Sequence, residues 1–228
     1  MDLTAKLAQM DYLSYIDIIQ PLKEGVAEVL IDDEAGVLVR IQDATYAVSV
    51  FDANQSERFA KALHSAKLPK AVHEGPLLQY LLDQGDEPTL SCVQAVYTAK
   101  EPLVVDSSLT FRPIVASDLE LIVRHYTHAE PSYVLDRVRS RTMLGLEIDG
   151  ELAAFMGRHS EGAMGLLEVL PQYRRRHLGQ QLESAYINLM LKQGLVPYCN
   201  VEITNTASLA LQRKLGLVFA KQHIYWFN

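Results

Sequence analysis

The sequence predicts an α/β (α+β) fold, with a mixed, mostly antiparallel sheet flanked by helices in its C-terminal half and a smaller α/β domain before it. Three observations carry that expectation. Short strand-like runs alternate with amphipathic helical runs along the whole chain. Turn residues separate them at regular intervals. A polar segment, Thr98-Ala99-Lys100-Glu101-Pro102 continuing to Asp106-Ser107-Ser108, divides the chain into segments 1–100 and 108–228.

In the first segment, Leu3, Leu7, Met10, Leu13, Ile16 and Ile19 recur at helical spacing and predict a helix over 3–22. Three strands follow at 26–31, 37–41 and 46–51. The breaks between them, Asp32-Asp33-Glu34-Ala35-Gly36 and Gln42-Asp43-Ala44-Thr45, suit an antiparallel meander. Phe59, Leu63 and Ala66 form the stripe of a helix over 55–66, and Pro76 suits the first turn of a helix over 77–83. A strand over 90–97 closes the segment.

The second segment opens with a strand over 109–112. Ser117-Asp118 caps a helix carrying Leu119, Ile122, Val123 and Tyr126, and Pro131 starts another through Arg139. Asp149-Gly150, between runs 143–148 and 152–156, is a strong hairpin signal. A strand over 163–170 ends at Pro171. The helix over 178–192 is cleanly amphipathic, with Leu178, Leu182, Ala185, Tyr186, Leu189 and Met190 on one face. A strand over 197–203, a helix over 205–215 stopped by Gly216, and closing strands over 217–227 complete the order.

Composition narrows the function classes. A hydrophobic fraction of 49% with 21% charged residues is that of an ordinary globular core. No stretch approaches the ~20 apolar residues of a membrane span, so no membrane partner is expected. Met1-Asp2-Leu3-Thr4-Ala5-Lys6 lacks the marks of a secretion signal, and Cys92 and Cys199 read as thiols in a reducing compartment, so a cytoplasmic location is expected. The net charge of −7 disfavours nucleic acid as a partner. His125 and His128 have a spacing a metal could use but no companion ligands, so no metal is expected.

Against this acidic background one basic cluster stands out. Leu166-Leu167-Glu168-Val169-Leu170-Pro171 runs as a strand into Gln172-Tyr173-Arg174-Arg175-Arg176-His177-Leu178-Gly179-Gln180, where the long helix begins. Three arginines at a helix start oppose the helix dipole, unless a bound anion shares the site with the unpaired N–H groups there. A solvated arginine turn is the plain alternative.

This segment resembles motif A of the GNAT acetyltransferases, in which a strand ending in Val-x-Pro leads to a pyrophosphate-binding turn of pattern Gln/Arg-x-x-Gly-x-Gly/Ala. Here the turn reads Arg174-x-x-His177-x-Gly179, with His177 in place of the first glycine. His177 either weakens binding or adds a donor for a phosphate oxygen. A second block, Asn205-Thr206-Ala207-Ser208-Leu209-Ala210-Leu211-Gln212-Arg213-Lys214-Leu215-Gly216-Leu217, is similar to the family's motif B. The wording is closest to the glycine N-acyltransferase-like branch, in which the first half is a degenerate acyltransferase-like domain.

The resemblance implies the GNAT fold over 108–228 and acetyl-CoA as co-substrate. It implies that Arg174, Arg175, Arg176, His177, Leu178, Gly179 and Gln180 hold the pyrophosphate. Asn205 would contact the pantetheine arm, with Ser208 one turn later; Asn205 is also a good helix N-cap, and the roles are compatible. The implied activity is direct transfer of an acetyl or short acyl group to the amine of a small molecule. The implied oxyanion donor is the backbone N–H of Val169 or Leu170. Glu168, a carboxylate in an apolar strand, is the first candidate base and Glu202 the second; pairing of Glu168 with an arginine is the alternative. The family's usual tyrosine acid is replaced by Gln212, and Tyr198, Tyr225 and Cys199 are the nearest substitutes. The first segment would shape the acceptor pocket or a homodimer contact. The rival reading is a CoA-binding sensor or interaction protein with little catalysis, which His177 and Gln212 favour.

Overall fold

The computed structural model of the protein describes residues 2–64 and 66–228. Met1, in the N-terminal stretch read above, and Ser65, in the expected helix 55–66, lie outside the described residues. The order is α1 (Leu3–Asp11), α2 (Ile16–Lys23), β1 (Ala27–Asp33), β2 (Gly36–Ile41), β3 (Thr45–Val50), α3 (Ser56–Leu63), β4 (Lys70–His73), α4 (Pro76–Asp83), β5 (Leu90–Val96), β6 (Thr110–Pro113), α5 (Leu119–His125), α6 (Pro131–Arg139), β7 (Met143–Ile148), β8 (Glu151–Arg158), β9 (Met164–Val169), α7 (Leu178–Lys192), β10 (Tyr198–Glu202), α8 (Thr206–Lys214) and β11 (Val218–Phe227). Among the described residues the strands form two sheets, one ordered β1-β2-β3-β4-β11-β5-β10 and one ordered β6-β7-β8-β9. By contacts the chain divides into two compact units. The first is Met1–Val96 with Asn200–Gln212 and Leu217–Asn228; the second is Tyr97–Cys199 with Arg213–Gly216.

In the first unit, β1, β2 and β3 form the expected antiparallel meander. Val37, Val39, Ile41, Ala47 and Ala71 pack under α1 and α2 with Leu7, Ile18 and Ile19. Leu38, Val48, Val50 and Val72 pack on the opposite face with Phe59, Leu63 and Leu77 of α3 and α4. Alternate residues therefore face two cores, which is why Val37-Leu38-Val39 reads as a continuous apolar run.

Two expectations are corrected by the structure, and one strand has no signal in the sequence. The helix over 3–22 is two helices, because Asp11 accepts hydrogen bonds from the Leu13 and Ser14 N–H groups and from Ser14 Oγ. Such a side-chain-to-backbone bond offers the chain an alternative to the helical ladder. The strand β4 was not foreseen; its four residues are too few for a period to show, and it runs parallel to β3. The closing strands over 217–227 are the single strand β11, which pairs antiparallel with both β4 and β5. The last residues of the chain thus sit inside the sheet of the first unit, and the units coincide only in part with segments 1–100 and 108–228.

The second unit is an antiparallel meander, β6 to β9. Asp149 (φ 53°) and Gly150 (φ 82°) are both left-handed, as the tight turn between β7 and β8 requires. On one face α5 and α6 bury Ile122, Val134 and Val138 against Phe155, Leu166 and Leu170. The helix α7 has the predicted bounds and packs across β7, β8 and β9. The polar segment before β6 is not a loose tether. The Asn188 side chain accepts from the Leu103 N–H at 2.8 Å and donates to the Leu103 carbonyl at 2.9 Å, and Gln181 accepts from the Asp106 N–H at 2.9 Å. Two side chains on one stripe of α7 therefore strap this segment down.

Candidate acyl-CoA site

The strand β9 is the edge of its sheet and carries a bulge. Phe155 pairs with Glu168 and Gly157 with Gly165, so Leu166 and Leu167 together face Met156. Leu166 takes a left-handed φ of 53°, which makes the bulge and bends the strand. Past the bulge, the Leu170 N–H donates to the Ala153 carbonyl at 3.0 Å. In an antiparallel ladder the neighbouring residue then points its backbone groups away from the partner strand. That residue is Val169, and its carbonyl does accept from Arg174 Nε on the outer side at 3.0 Å. Of the two expected donors, Leu170 is therefore engaged in the ladder, while the Val169 N–H faces the open edge.

The chain next makes a short 3-10 turn, Pro171–Tyr173, and enters the basic turn. Arg175 (φ 62°) and His177 (φ 58°) are left-handed, and His177 is the N-cap residue of α7 without a side-chain capping bond. Backbone bonds from this stretch end with the Tyr173 and Arg174 N–H groups and resume with Gln181 to His177. Among the described residues, the N–H groups of Arg175, Arg176, His177, Leu178, Gly179 and Gln180 have no backbone acceptor. Consecutive unpaired N–H groups at the start of a fifteen-residue helix form a cradle for an anion, favoured by the dipole. A β-carbon at Gly179 would only touch Val169 Cγ2, at 3.4 Å. Packing within the unit therefore does not demand glycine there. These residues fit the pyrophosphate of a CoA ester.

The arginines divide their work. Arg174 folds back onto β9, with Nη2 donating to Glu168 Oε1 at 2.9 Å beside its bond to Val169. Arg175 and Arg176 are exposed, and the Arg176 guanidinium lies over the Tyr173 ring at 5.9 Å. Glu168 thus makes the arginine pairing weighed above as the alternative to its role as a base. Glu168 pairs laterally with Phe155 and shares the α5–α6 face with Tyr126, whose hydroxyl burial pushes up to about 12, with Tyr133 and Glu168 adding to the rise.

The motif B residues lie on α8, in the first unit. Asn205 accepts from the Ser208 N–H through Oδ1 at 3.0 Å, which fixes it as the N-cap and leaves its amide N–H2 as donor. Glu202, at the end of β10, is exposed. Its charge adds to the burial that pushes the Cys92 thiol up to about 12. Of the substitute acids, Tyr198 is fully buried and donates to the Glu161 carbonyl at 3.0 Å, a structural commitment. Tyr225 lies on β11, paired with Val72 and Ser91. Cys92 and Cys199 are both buried and in no disulfide.

Sequence reading missed a second polar group. Tyr133 Oη lies 2.9 Å from His159 Nδ1 and accepts from the Ser160 N–H at 3.2 Å. Residues 26 positions apart on a helix and a strand end leave no spacing signal. Among the described residues no cluster of three or more His, Cys, Asp or Glu is arranged to hold a metal, and no helix is long and apolar enough to cross a membrane.

Residues 144–227 match the FR47-like protein family. The chain is similar in structure to a putative acetyltransferase of the GNAT family from Novosphingobium aromaticivorans, with 17% identity over 95% of this chain and 96% of that one at a TM-score of 0.58. It is similar to a GCN5-related N-acetyltransferase from Kribbella flavida, with 14% identity, 95% of each chain covered and a TM-score of 0.61. A tandem GNAT protein from the clavulanic acid biosynthesis pathway matches 92% of this chain with 86% of its own, at 14% identity and a TM-score of 0.50. No curated protein matches at a significant level. At these identities the likeness to solved structures is one of fold.

Proposed function

We propose that this chain, a member of the GNAT superfamily by its fold and its FR47-like segment, is an N-acyltransferase moving an acetyl or short acyl group from acyl-CoA to the amine of a small molecule. The observation that carries the reading is the run of N–H groups from Arg175 to Gln180 without backbone acceptors, flanked by exposed Arg175 and Arg176. A cradle of that length suits two adjacent phosphates better than a single carboxylate.

Acyl-CoA supplies an activated carbonyl and a thiolate leaving group. This chain supplies position and charge. The Val169 N–H donates to the carbonyl oxygen as negative charge builds there, and it needs no reorganisation because the strand already holds it outward. Arg174, by capping the Val169 carbonyl, fixes the orientation of the Val169–Leu170 peptide unit.

Calorimetry with acetyl-CoA, followed by release of CoA thiol across a panel of amines, tests the proposal. Binding with turnover supports it, and no binding sinks it. Binding without turnover would favour the sensor reading, which rests on a histidine at the glycine position of the turn and on Gln212 where the family's tyrosine stands.

A further inference from the structure

The group missed by sequence reading lies on the same face of the same strand pair as Glu168. Phe155, Gly157 and His159 alternate along β8 and its continuation, and Gly157 pairs with Gly165 as Phe155 pairs with Glu168. A β-carbon at Gly165 would lie 2.3 Å from His159 Nε2 and 2.6 Å from His159 Cδ2. The imidazole therefore occupies the space that any other residue at 165 would fill, directly beside the bulge at Leu166. Tyr133 of α6 lies roughly parallel to it, with ring centroids 5.9 Å apart and planes at 28°.

Resting on the acyltransferase reading, we propose that His159 is the general base that takes the proton from the acceptor amine, with Tyr133 as its positioning residue. In this role His159 carries its resting proton on Nδ1. Tyr133 Oη accepts from the Ser160 N–H and lies 3.5 Å from Ser160 Oγ. It also lies 2.9 Å from His159 Nδ1, within reach to receive an Nδ1–H there. With its proton on Nδ1, the ring keeps a lone pair on Nε2, the nitrogen against Gly165 and the bulge. The charged groups that act on Tyr133 are Glu161 in the β8–β9 turn and Arg137 of α6, and Tyr126 after α5 feels Tyr133 and Glu168 of β9. Glu168 is already bound to Arg174, whereas Nε2 has no hydrogen-bond partner among the described residues.

The step balances. Nε2 takes one proton from the ammonium, and the freed nitrogen pair forms the C–N bond to the thioester carbonyl carbon. The C–S pair leaves on sulfur, the second nitrogen proton neutralises the thiolate, and His159 returns its proton to water. Ammonium and acyl-CoA become amide, thiol and one released proton.

The test combines kinetics with long-range 1H–15N NMR of the imidazoles, using acetyl-CoA with benzylamine, glycine and spermidine as probe acceptors. His159→Gln is expected to lower kcat about 100-fold at pH 7 while acetyl-CoA affinity by calorimetry stays within twofold. The deficit should shrink as pH rises through the pKa of the amine, because the amine then loses its proton to water. Gly165→Ala, which displaces the ring and leaves His159 in place, should lower kcat about tenfold or more. Tyr133→Phe should move the His159 NMR signature away from the Nδ1–H tautomer. A His159→Gln enzyme within twofold of wild type at every pH, or an Nε2–H tautomer in the wild type, would overturn the proposal alone. Wild-type protein that binds acetyl-CoA but acylates none of the three probes would overturn the transferase reading and this assignment with it.

Discussion

His177 stands where the turn that this segment resembles has glycine, and its backbone shows what that exchange costs. At φ 58° and ψ 13° it is left-handed, a conformation in which an L-residue other than glycine is strained by roughly 1–2 kcal/mol. Its ring makes no capping bond that a substitution would lose. Glycine would relieve the strain but lose about 0.5–1 kcal/mol more conformational entropy on folding. The balance for His177→Gly is a stabilisation of about 0.5–1 kcal/mol. At roughly 2–4 °C per kcal/mol for a chain of this size, Tm should rise by about 2 °C. His177→Ala should not share the gain, because alanine keeps the β-carbon. Urea titration of the three proteins without ligand measures the differences, and calorimetry with acetyl-CoA measures the second effect. If His177 serves only as a strained spacer, His177→Gly binds as tightly or more tightly; if its ring donates to a phosphate oxygen, the more stable variant binds more weakly. A His177→Gly protein less stable than wild type would refute the left-handed assignment from which this reasoning starts.

Three other outcomes follow from the geometry. Arg112 donates to both oxygens of Asp118 and to Glu147, so Arg112→Met should cost about 2 kcal/mol in urea titration at pH 7. Burial pushes Asp118 up, but the bonds from Arg112 and the Val115 N–H outweigh it and hold the carboxyl below its ordinary value. That stability is present above the unfolded carboxyl pKa of about 4 and is lost as pH falls through the lower folded value, so the gap between the two proteins should narrow in acid. Burial pushes Cys92 up to about 12, so the native protein should leave it unmodified by a disulfide reagent at pH 8, with full reaction only in denaturant. Asn205→Ala should cost about 1 kcal/mol in urea titration through loss of the α8 cap, whereas Asn205→Asp should keep the cap and the stability.

Much of this structure was legible in the residues, for reasons that differ by element. The helix α7 declared its bounds because fifteen residues of one period override local noise, and the hairpin of β7 and β8 because Asp149-Gly150 suits few other turns. The position of the basic turn was equally plain, as a charge cluster set against an acidic chain. What failed to show was non-local. Asp11 breaks a helical stripe through a side-chain bond that periodicity ignores, and β4 exists because β3 and β11 flank it. Nor could spacing reveal that Glu168 is held by Arg174, six residues later across a turn, or that Gly165 makes room for His159.

The position of β11 also bears on how the molecule comes into being. This strand lies between β4 and β5, and its residues Ile224 and Phe227 belong to the two cores on either side of that sheet. A ribosome makes those residues after every other strand of that sheet. Until they emerge, β4 and β5 present two naked edges where the finished sheet has its middle, an invitation to pair with a neighbouring nascent chain. The first half therefore waits, incomplete, through the synthesis of all the residues between. A stop codon just before Val218 would leave α7 and the basic turn intact on paper and remove the centre of a sheet begun about 190 residues before.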